Sequence, residues 1–283
     1  MEIDTLIFSG ASTRGVVFLG CLDYLIEHNL VYKNFKNIKK IYCVSASYMF
    51  VLSVLLLKYD YNKIKEDIFN FNFNDFLNIN DLSLKSFINN YGFINYNKNH
   101  IYIKTLLKTK YNVDKMSLLK LYKLTGKHII VKVVNVSKDS IEYIDHINNP
   151  KMNILKLLQM TTAIPVFFKP IKYKDNLYLD GGLSGNCPIE INNSKKYFCI
   201  YIINKEPNKK INNILDYLKK SWDMYDPDIL IRKENNRTKI IYTYKLNIYS
   251  SDFNISIEQK EKMLQLGYDS MKDHFTNLQY SCN

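Results

Sequence analysis

The alternation of apolar and polar positions near the start of the chain predicts two strand–loop–helix units. The apolar run DTLIFSG (4–10) ends in small residues, which is typical of a buried strand. Apolar residues at helical spacing follow in VVFLGCLDYLIEHNL (16–30). KKIYCV (39–44) and SYMFVLSVLLLKY (47–59) then repeat the same strand and helix patterns. Successive units of this kind predict an α/β fold with a mostly parallel sheet.

The residue composition and the apolar pattern change in the middle of the chain. Residues 58–127 are rich in Asn, Lys, Phe and Tyr in amphipathic patterns, which predicts a helical insertion or lid beside the sheet. HIIVKVVNVSKDSIEYIDH (128–146) predicts two strands joined as a hairpin. A helix over NILKLLQMTTA (153–163) is expected to stop at Ile164, because the residue before a proline avoids the helical region.

The rest of the chain is predicted to complete the same core. NLYLDGG (176–182) and KYFCIYIIN (196–204) are typical strands. In the tail, 205–283, we expect a helix near 211–222, a strand over KIIYTYKLNI (239–248) and a last helix from about 257. Ser256 and Gln259 have the spacing of a capping box for that last helix. Since no long linker divides the chain, we expect one domain over 1–283.

Composition and charge narrow the classes of function. The chain is 47% hydrophobic and 14% aromatic, which excludes disorder as its main state. Its 39 basic and 27 acidic residues give a net charge of +12, which favours contact with phosphate on anionic lipid surfaces. The basic residues are scattered rather than clustered, which disfavours nucleic acid as a partner.

The same features bear on compartment and cofactors. The longest apolar run, 48–57, is about half of the ~20 residues that a membrane span needs, and the chain opens without a secretory signal. We therefore expect a cytoplasmic protein with peripheral membrane contact. The cysteines have no metal-ligand spacing, so we expect reduced thiols and no metal site. They are Cys21, Cys43, Cys187, Cys199 and Cys282.

Ser45 lies in CVSAS (43–47), between a predicted strand and a predicted helix. A catalytic serine on a nucleophile elbow occupies this position, exposed at the positive end of the helix. The two positions that are usually glycine in that turn are Cys43 and Ser47, both small. Taken alone, the segment fits a helix N-cap serine as well.

Two further loops carry candidate chemistry. SGASTRG (9–15) offers backbone amides at a helix N-terminus and lacks both the Walker and the G-x-G-x-x-G patterns. It fits an oxyanion hole to which Arg14 adds positive charge, or an ordinary βα turn. In YLDGGLSGNCP (178–188), Asp180 follows a predicted strand and precedes two glycines. This position fits a functional carboxylate at the end of a strand, and it fits an ordinary turn residue as well.

In this order, the three loops resemble those of the patatin-like phospholipases. Gly10–Gly15 corresponds to the G-G-G-x-K/R-G oxyanion loop, Cys43–Ser47 to the G-x-S-x-G elbow, and Asp180-Gly181-Gly182 to the D-G-G/A motif. LYKLTGKHIIVKVVNVSKDS (121–140) and TTAIPVFFKP (161–170) are also similar to family segments, and the likeness runs from about Thr5 to Asn204. The resemblance implies a three-layer α/β/α sandwich with a helical insertion.

The resemblance also implies a mechanism without metal or cofactor. Ser45 attacks an acyl-lipid ester, such as a phospholipid, and Asp180 takes its proton. The oxyanion loop is formed by Gly10, Ala11, Ser12, Arg14 and Gly15, and the elbow and aspartate turn are supported by Cys43, Ser47, Gly181 and Gly182. Some bacterial members of the family need a host protein as activator, and the sequence leaves that requirement open.

Departures from the family pattern keep two alternatives open. Non-glycine residues stand at positions 11, 12, 43 and 47, and each would cost about 1 kcal/mol or more where φ is positive. One alternative is therefore a weak or inactive protein of the same fold that binds membranes or a partner. The other is a Ser45–Asp180–His274 triad, which follows the chain order of α/β-hydrolases. His274 lies on the predicted polar side of the last helix, which favours a solvated histidine instead.

Overall fold

The computed structural model describes residues 1–73, 87–89, 91–94, 100–203, 210–212, 217, 234–246, 248 and 253–281. The strands are β1 (Thr5–Phe8), β2 (Lys40–Val44), β3 (Gly92–Ile94), β4 (His128–Asn135), β5 (Ser140–Ile144), β6 (Val166–Phe168), β7 (Ile171–Tyr173), β8 (Asn176–Asp180), β9 (Tyr197–Ile203) and β10 (Thr238–Tyr242). The helices are α1 (Val16–Glu27), α2 (Ala46–Leu56), α3 (Tyr61–Asn70), α4 (His100–Tyr111), α5 (Leu118–Thr125), α6 (Ile154–Thr161) and α7 (Ile257–Ser281).

The main sheet has the order β10–β9–β1–β2–β4–β8–β7, and β5 pairs with β4 outside this path. The pairs from β10 to β4 are parallel, while β4–β5, β4–β8 and β7–β8 are antiparallel. A separate ribbon pairs β3 with β6. The predicted α/β fold with a mostly parallel sheet and the predicted 128–146 hairpin are confirmed. The strand predicted over 239–248 ends at Tyr242, where a 3₁₀ turn follows, and most of the helix predicted near 211–222 lies outside the described residues.

Both faces of the sheet are covered, which explains why its strands read as continuous apolar runs. Alternate residues such as Leu6 and Ile41 face the larger core, which also contains apolar residues of α1, α2, α6 and α7. The intervening residues, such as Ile7 and Tyr42, face a smaller cluster that includes Cys187. The four cysteines in the described part of the chain are buried.

The last helix packs directly on the first. A Cβ atom at Gly20 of α1 would lie 1.8 Å from the Leu264 carbonyl oxygen, and one at Gly267 would lie 2.1 Å from the Val17 oxygen. Glycine at both positions therefore lets the two backbones touch. The predicted capping box is confirmed, because Ser256 and Gln259 exchange hydrogen bonds of 2.9 and 3.2 Å. Among the helices that the structure describes, none combines the length and apolarity of a membrane span.

Strand register brings the ends of β2 and β8 together. Val44, the last residue of β2, pairs with Lys132 of β4. Asp180, the last residue of β8, pairs with the next residue of β4, Val133. Because β5 occupies the opposite edge of β4, β2 and β8 share one edge and meet head to head. The predicted strand before Asp180 is present, and because β8 is antiparallel to β4, it delivers the carboxylate from the direction opposite to that of β2.

Candidate active site

Ser45 occupies a strained turn between β2 and α2. Its backbone has φ 57° and ψ −135°, a conformation that non-glycine residues rarely adopt and that is typical of nucleophile elbows. The Ser45 amide donates to the hydroxyl oxygen of Thr161 at 2.8 Å, and that hydroxyl donates to the Lys132 carbonyl at 2.9 Å. The elbow is thus held by α6 and β4.

The side chains of Ser45 and Asp180 meet although they are 135 positions apart. Ser45 Oγ donates to Asp180 Oδ2 at 2.6 Å. The other carboxylate oxygen, Oδ1, accepts the amide of Gly182 at 2.8 Å. Asp180 is only 2% exposed, so the hydroxyl faces a carboxylate that is shielded from water and fixed at both oxygens.

Burial changes the acidity of this carboxylate. It raises the pKa of Asp180 to about 7, while the hydrogen bonds from Ser45 and Gly182 act in the opposite direction. A carboxylate with this pKa is a stronger base than an exposed aspartate, and it is about half ionised at pH 7 and largely ionised at pH 8. This combination suits a general base that accepts the proton of a hydroxyl group.

Gly10 packs between the two halves of the site. Its amide donates to the Asn186 carbonyl at 2.8 Å, and the Asn186 side chain donates to the Gly10 carbonyl at 3.0 Å. A Cβ at Gly10 would lie 2.2 Å from Asn186 Oδ1 and 3.4 Å from Ser45 Cβ. The expectation that the Gly10 amide serves as an oxyanion donor is therefore wrong, and the amides that follow, beginning with Ala11, are the remaining candidates. Asn186 was missed, because no local pattern distinguishes it from other turn residues.

Arg14 supports the loop from within the protein. It is 5% exposed, its Nε donates to the Ala11 carbonyl at 3.2 Å, and its Nη1 donates to the Thr243 hydroxyl at 3.1 Å. Its charge was expected to add to the positive potential near the oxyanion hole. The observed contacts orient the Ala11 peptide and tie the loop to the segment after β10. Gly15 immediately precedes α1 and lines an apolar cavity.

Three of the four residues that replace family glycines have ordinary backbone conformations. Ala11 has φ −142°, Cys43 lies within β2 and Ser47 lies within α2. Ser47 also strengthens the elbow, because its hydroxyl accepts the Val44 amide at 2.9 Å and donates to the Val44 carbonyl at 2.7 Å. Only Ser12, with φ 52°, carries the expected strain.

The turn after Asp180 requires glycine at its first position. A Cβ at Gly181 would lie 2.3 Å from the Lys132 carbonyl oxygen, so the turn lies directly against β4. At Gly182 the nearest atom, Asp180 Oδ1, would be 3.2 Å away, which is tight but less severe. Close contact with β4 therefore sets the path of the chain beyond the carboxylate.

Two adjoining apolar cavities lie beside Ser45. They share Ser12, Ala46, Met49 and Phe73 as lining residues. The first cavity also contacts Ser45 itself, together with Ile164, Phe168 and Phe253. The second continues toward Ser53, Ile68, Phe71 and Tyr102. Part of this lining comes from the 58–127 region that was predicted as a helical insertion or lid.

His274 belongs to another part of the molecule. It is buried, with Nε2 3.5 Å from the Asn236 carbonyl oxygen and Nδ1 3.5 Å from Glu234 Oε1. Its ring contacts the Phe198 ring in an edge-to-face arrangement. The predicted solvated position is therefore wrong. The triad alternative also gains no support, because these contacts lie beside the start of β9 rather than at Asp180.

Comparisons with known proteins identify the family and the fold. The family model described as "Patatin-like phospholipase" matches residues 6–192. "Probable lipid hydrolase 463L" of Invertebrate iridescent virus 6 is 31% identical over 193 residues, which are 66% of this chain, and the match spans 62% of that relative's length. Among solved structures, VipD from Legionella pneumophila has a TM-score of 0.57 at 15% identity, over 98% of this chain and 67% of VipD. The type III effector ExoU has a TM-score of 0.54 at 11% identity, over 98% of this chain and 53% of ExoU. At these identities, the similarity to VipD and ExoU shows the fold alone.

Proposed function

The chain belongs to the patatin-like phospholipase family, and from that membership we propose that it is a serine hydrolase of acyl lipids that uses a Ser45–Asp180 dyad. The observation that carries the proposal is the 2.6 Å hydrogen bond from Ser45 Oγ to the buried Asp180 carboxylate. The backbone amides of the neighbouring loop and the apolar cavities beside Ser45 supply the other two requirements, an oxyanion site and space for an acyl chain.

In the acylation step, Ser45 Oγ attacks the ester carbonyl carbon while its proton passes to Asp180 Oδ2. The negative charge that develops on the carbonyl oxygen is stabilised by loop amides that include Ala11. When the tetrahedral intermediate collapses, the bond to the alcohol breaks. Asp180 returns the proton to the departing alkoxide, and the acyl group remains on Ser45 as an ester.

Deacylation repeats these steps with water. Asp180 accepts a proton from a water molecule, and the resulting hydroxide attacks the acyl-serine carbonyl. Collapse of the second intermediate releases the fatty acid and returns the proton to Ser45 Oγ. The Ser45 amide is hydrogen-bonded to the Thr161 hydroxyl, and Asp180 Oδ1 is hydrogen-bonded to the Gly182 amide. Neither reacting group therefore needs to reorganise between the two steps.

The net charge of +12 supports contact with anionic lipid surfaces, where such substrates are found. We therefore include peripheral membrane binding in the proposal. ExoU is found in a heterodimeric complex with SpcU. A requirement of this chain for a protein activator would appear as hydrolysis that begins only when a host-cell extract is added.

A fluorophosphonate probe tests the nucleophile directly. We expect one equivalent to attach to Ser45, as mapped by peptide mass spectrometry, and to abolish hydrolysis of a soluble p-nitrophenyl ester. Ser45→Ala should remain unlabelled. Vesicles of phosphatidylglycerol and of phosphatidylcholine should release fatty acid with the wild type, faster with the anionic lipid. Binding to vesicles without hydrolysis, even with host-cell extract, would instead support the non-catalytic alternative.

Filling the second cavity is expected to shorten the preferred acyl chain. In Ser53→Leu, the added methyl groups enter the cavity, while the lost hydroxyl had donated to the Met49 carbonyl of its own helix at 2.8 Å and had also bonded the Tyr102 hydroxyl. We expect kcat/KM to fall about tenfold for esters of twelve or more carbons, the loss typical of one or two methylenes, and to stay unchanged for butyrate. Thr109→Leu is a matched control, since Thr109 makes the same intrahelical bond on the exposed side of α4. An equal loss for short and long esters would contradict the acyl assignment.

A further inference from the structure

Lys132 places a buried ammonium group under the turn that follows Asp180. Its side chain is 1% exposed, and its Nζ donates to the carbonyls of Ser184 and Gly185, both at 3.0 Å. Its third contact is an ion pair with Glu190 Oε1 at 2.7 Å, which also accepts the Tyr143 hydroxyl. The three donors of the ammonium are thus matched by three acceptors, which offsets the cost of burying the charge.

The backbone of the same residue reaches the serine side of the site. The Lys132 carbonyl accepts the Thr161 hydroxyl, which in turn accepts the Ser45 amide. Lys132 also pairs with Val44, the residue before the elbow. Gly181 packs so closely on this carbonyl that a Cβ there would lie 2.3 Å from its oxygen. The backbone and side chain of Lys132 therefore contact both halves of the site.

We propose that Lys132 is a positioning residue that fixes the Asp180 turn relative to the Ser45 elbow. The inference rests on the proposed function, since it concerns the geometry of that dyad. The turn needs an external anchor because it is rich in glycine. Its Gly185 has φ 112°, and the hydrogen bond from the Gly185 amide to the Gly182 carbonyl is 3.2 Å long.

Loss of the ammonium should act on Asp180 through the Gly182 amide. The influences on the pKa of Asp180 are burial, the Ser45 hydroxyl and the Gly182 amide, and the last two favour the carboxylate. Lys132 and Glu190 form a charge pair of their own beneath the turn. If the turn moves, the Gly182 bond weakens and the pKa of Asp180 rises. A residue that only stabilised the fold would lower stability without this titration change.

The test compares variants of two buried lysines, Lys132 within β4 and Lys127 just before it. Lys132→Met removes the ammonium, and Lys132→Met combined with Glu190→Gln also neutralises the carboxylate of its ion-pair partner. The control is Lys127→Met, because Lys127 is 8% exposed and its Nζ likewise donates to two carbonyls, those of Phe35 and Ile38. Lys127 lies just before β4, about 16 Å along the chain from Lys132.

Two readouts are measured in parallel. The first is the pH profile of kcat and KM for a soluble ester. The second is the carboxyl ¹³C titration of Asp180, assigned by its absence in Asp180→Asn. For both Lys132 variants we expect kcat to fall about 10- to 100-fold with KM within twofold, and the Asp180 midpoint to rise by about one pH unit. Lys127→Met should change neither quantity, whatever it does to thermal stability.

Each outcome is decisive for one of the two proposals. If a folded Lys132 variant keeps the wild-type kcat and titration, the positioning role is wrong. It is also wrong if both variants fail to fold while Lys127→Met folds, because Lys132 would then serve stability alone. If the wild type hydrolyses no ester but the Asp180 midpoint still rises, the positioning role holds and the proposed hydrolase activity fails.

Discussion

Replacing Asp180 with asparagine is expected to lower kcat for a soluble ester by about 10³- to 10⁶-fold, as does the loss of a member of other serine catalytic units. The amide keeps the size of the carboxyl group and can still accept the Gly182 amide that now bonds Oδ1 at 2.8 Å. It cannot take the proton of Ser45 Oγ, which lies 2.6 Å from Oδ2. The loss should therefore appear in kcat, while KM changes little.

Ser45→Ala should reduce kcat as strongly, and the double variant should lose no more than the more damaging single one. Residues that act in the same chemical step are strongly non-additive, because either change alone disables that step. Asp145→Asn is the control, since Asp145 is another carboxylate, partly buried and hydrogen-bonded to His128 at 2.7 Å, and lies beyond β5. Steady-state kinetics with unchanged circular dichroism would measure the effect. If Asp180→Asn retained a tenth of the wild-type kcat, the dyad would be wrong.

The pH dependence of the wild type is the second large effect that we expect. Only the carboxylate form of Asp180 can accept a proton, and burial raises its pKa to about 7. The value of kcat/KM should therefore rise with pH, level off above about 7, and fall about tenfold for each unit below it. Between pH 8 and pH 5 the expected loss is about 100-fold. A pH–rate profile that stays flat down to pH 5 would contradict the role of Asp180 as base.

Stability should follow the opposite trend over the same window. Because the pKa of Asp180 is raised from 3.8 to about 7 in the folded protein, the folded state binds more protons than the unfolded state between about pH 4 and 7. The contribution of this group to stability is therefore present at low pH and lost as pH rises through 7. Asp180→Asn should raise the free energy of unfolding at pH 8 by about 2–4 kcal/mol. Urea unfolding at pH 5 and pH 8 measures this, and a less stable variant at pH 8 would contradict it.

The elements that the sequence predicts well are those whose burial shows in a local pattern. β1, β2 and β9 are apolar runs because the sheet is covered on both faces, and α7 begins at its predicted capping box. The candidate site was predictable to the extent that its motifs are contiguous. Ser45, Asp180 and the 10–15 loop each lie in a short segment with its own turn chemistry.

The sequence by itself therefore determined the α/β class, the strands that carry the candidate chemistry and the family. The tertiary structure alone decided which groups act on which. In the folded protein, the Gly10 amide donates to the Asn186 carbonyl, and Arg14 donates to Ala11 and Thr243. His274 is buried near β9. The tertiary structure also placed Lys132 beneath both halves of the site. The physical reason is that periodicity and turn preferences act over a few neighbouring residues, whereas hydrogen bonding and burial in the site depend on strand register between segments far apart in the chain.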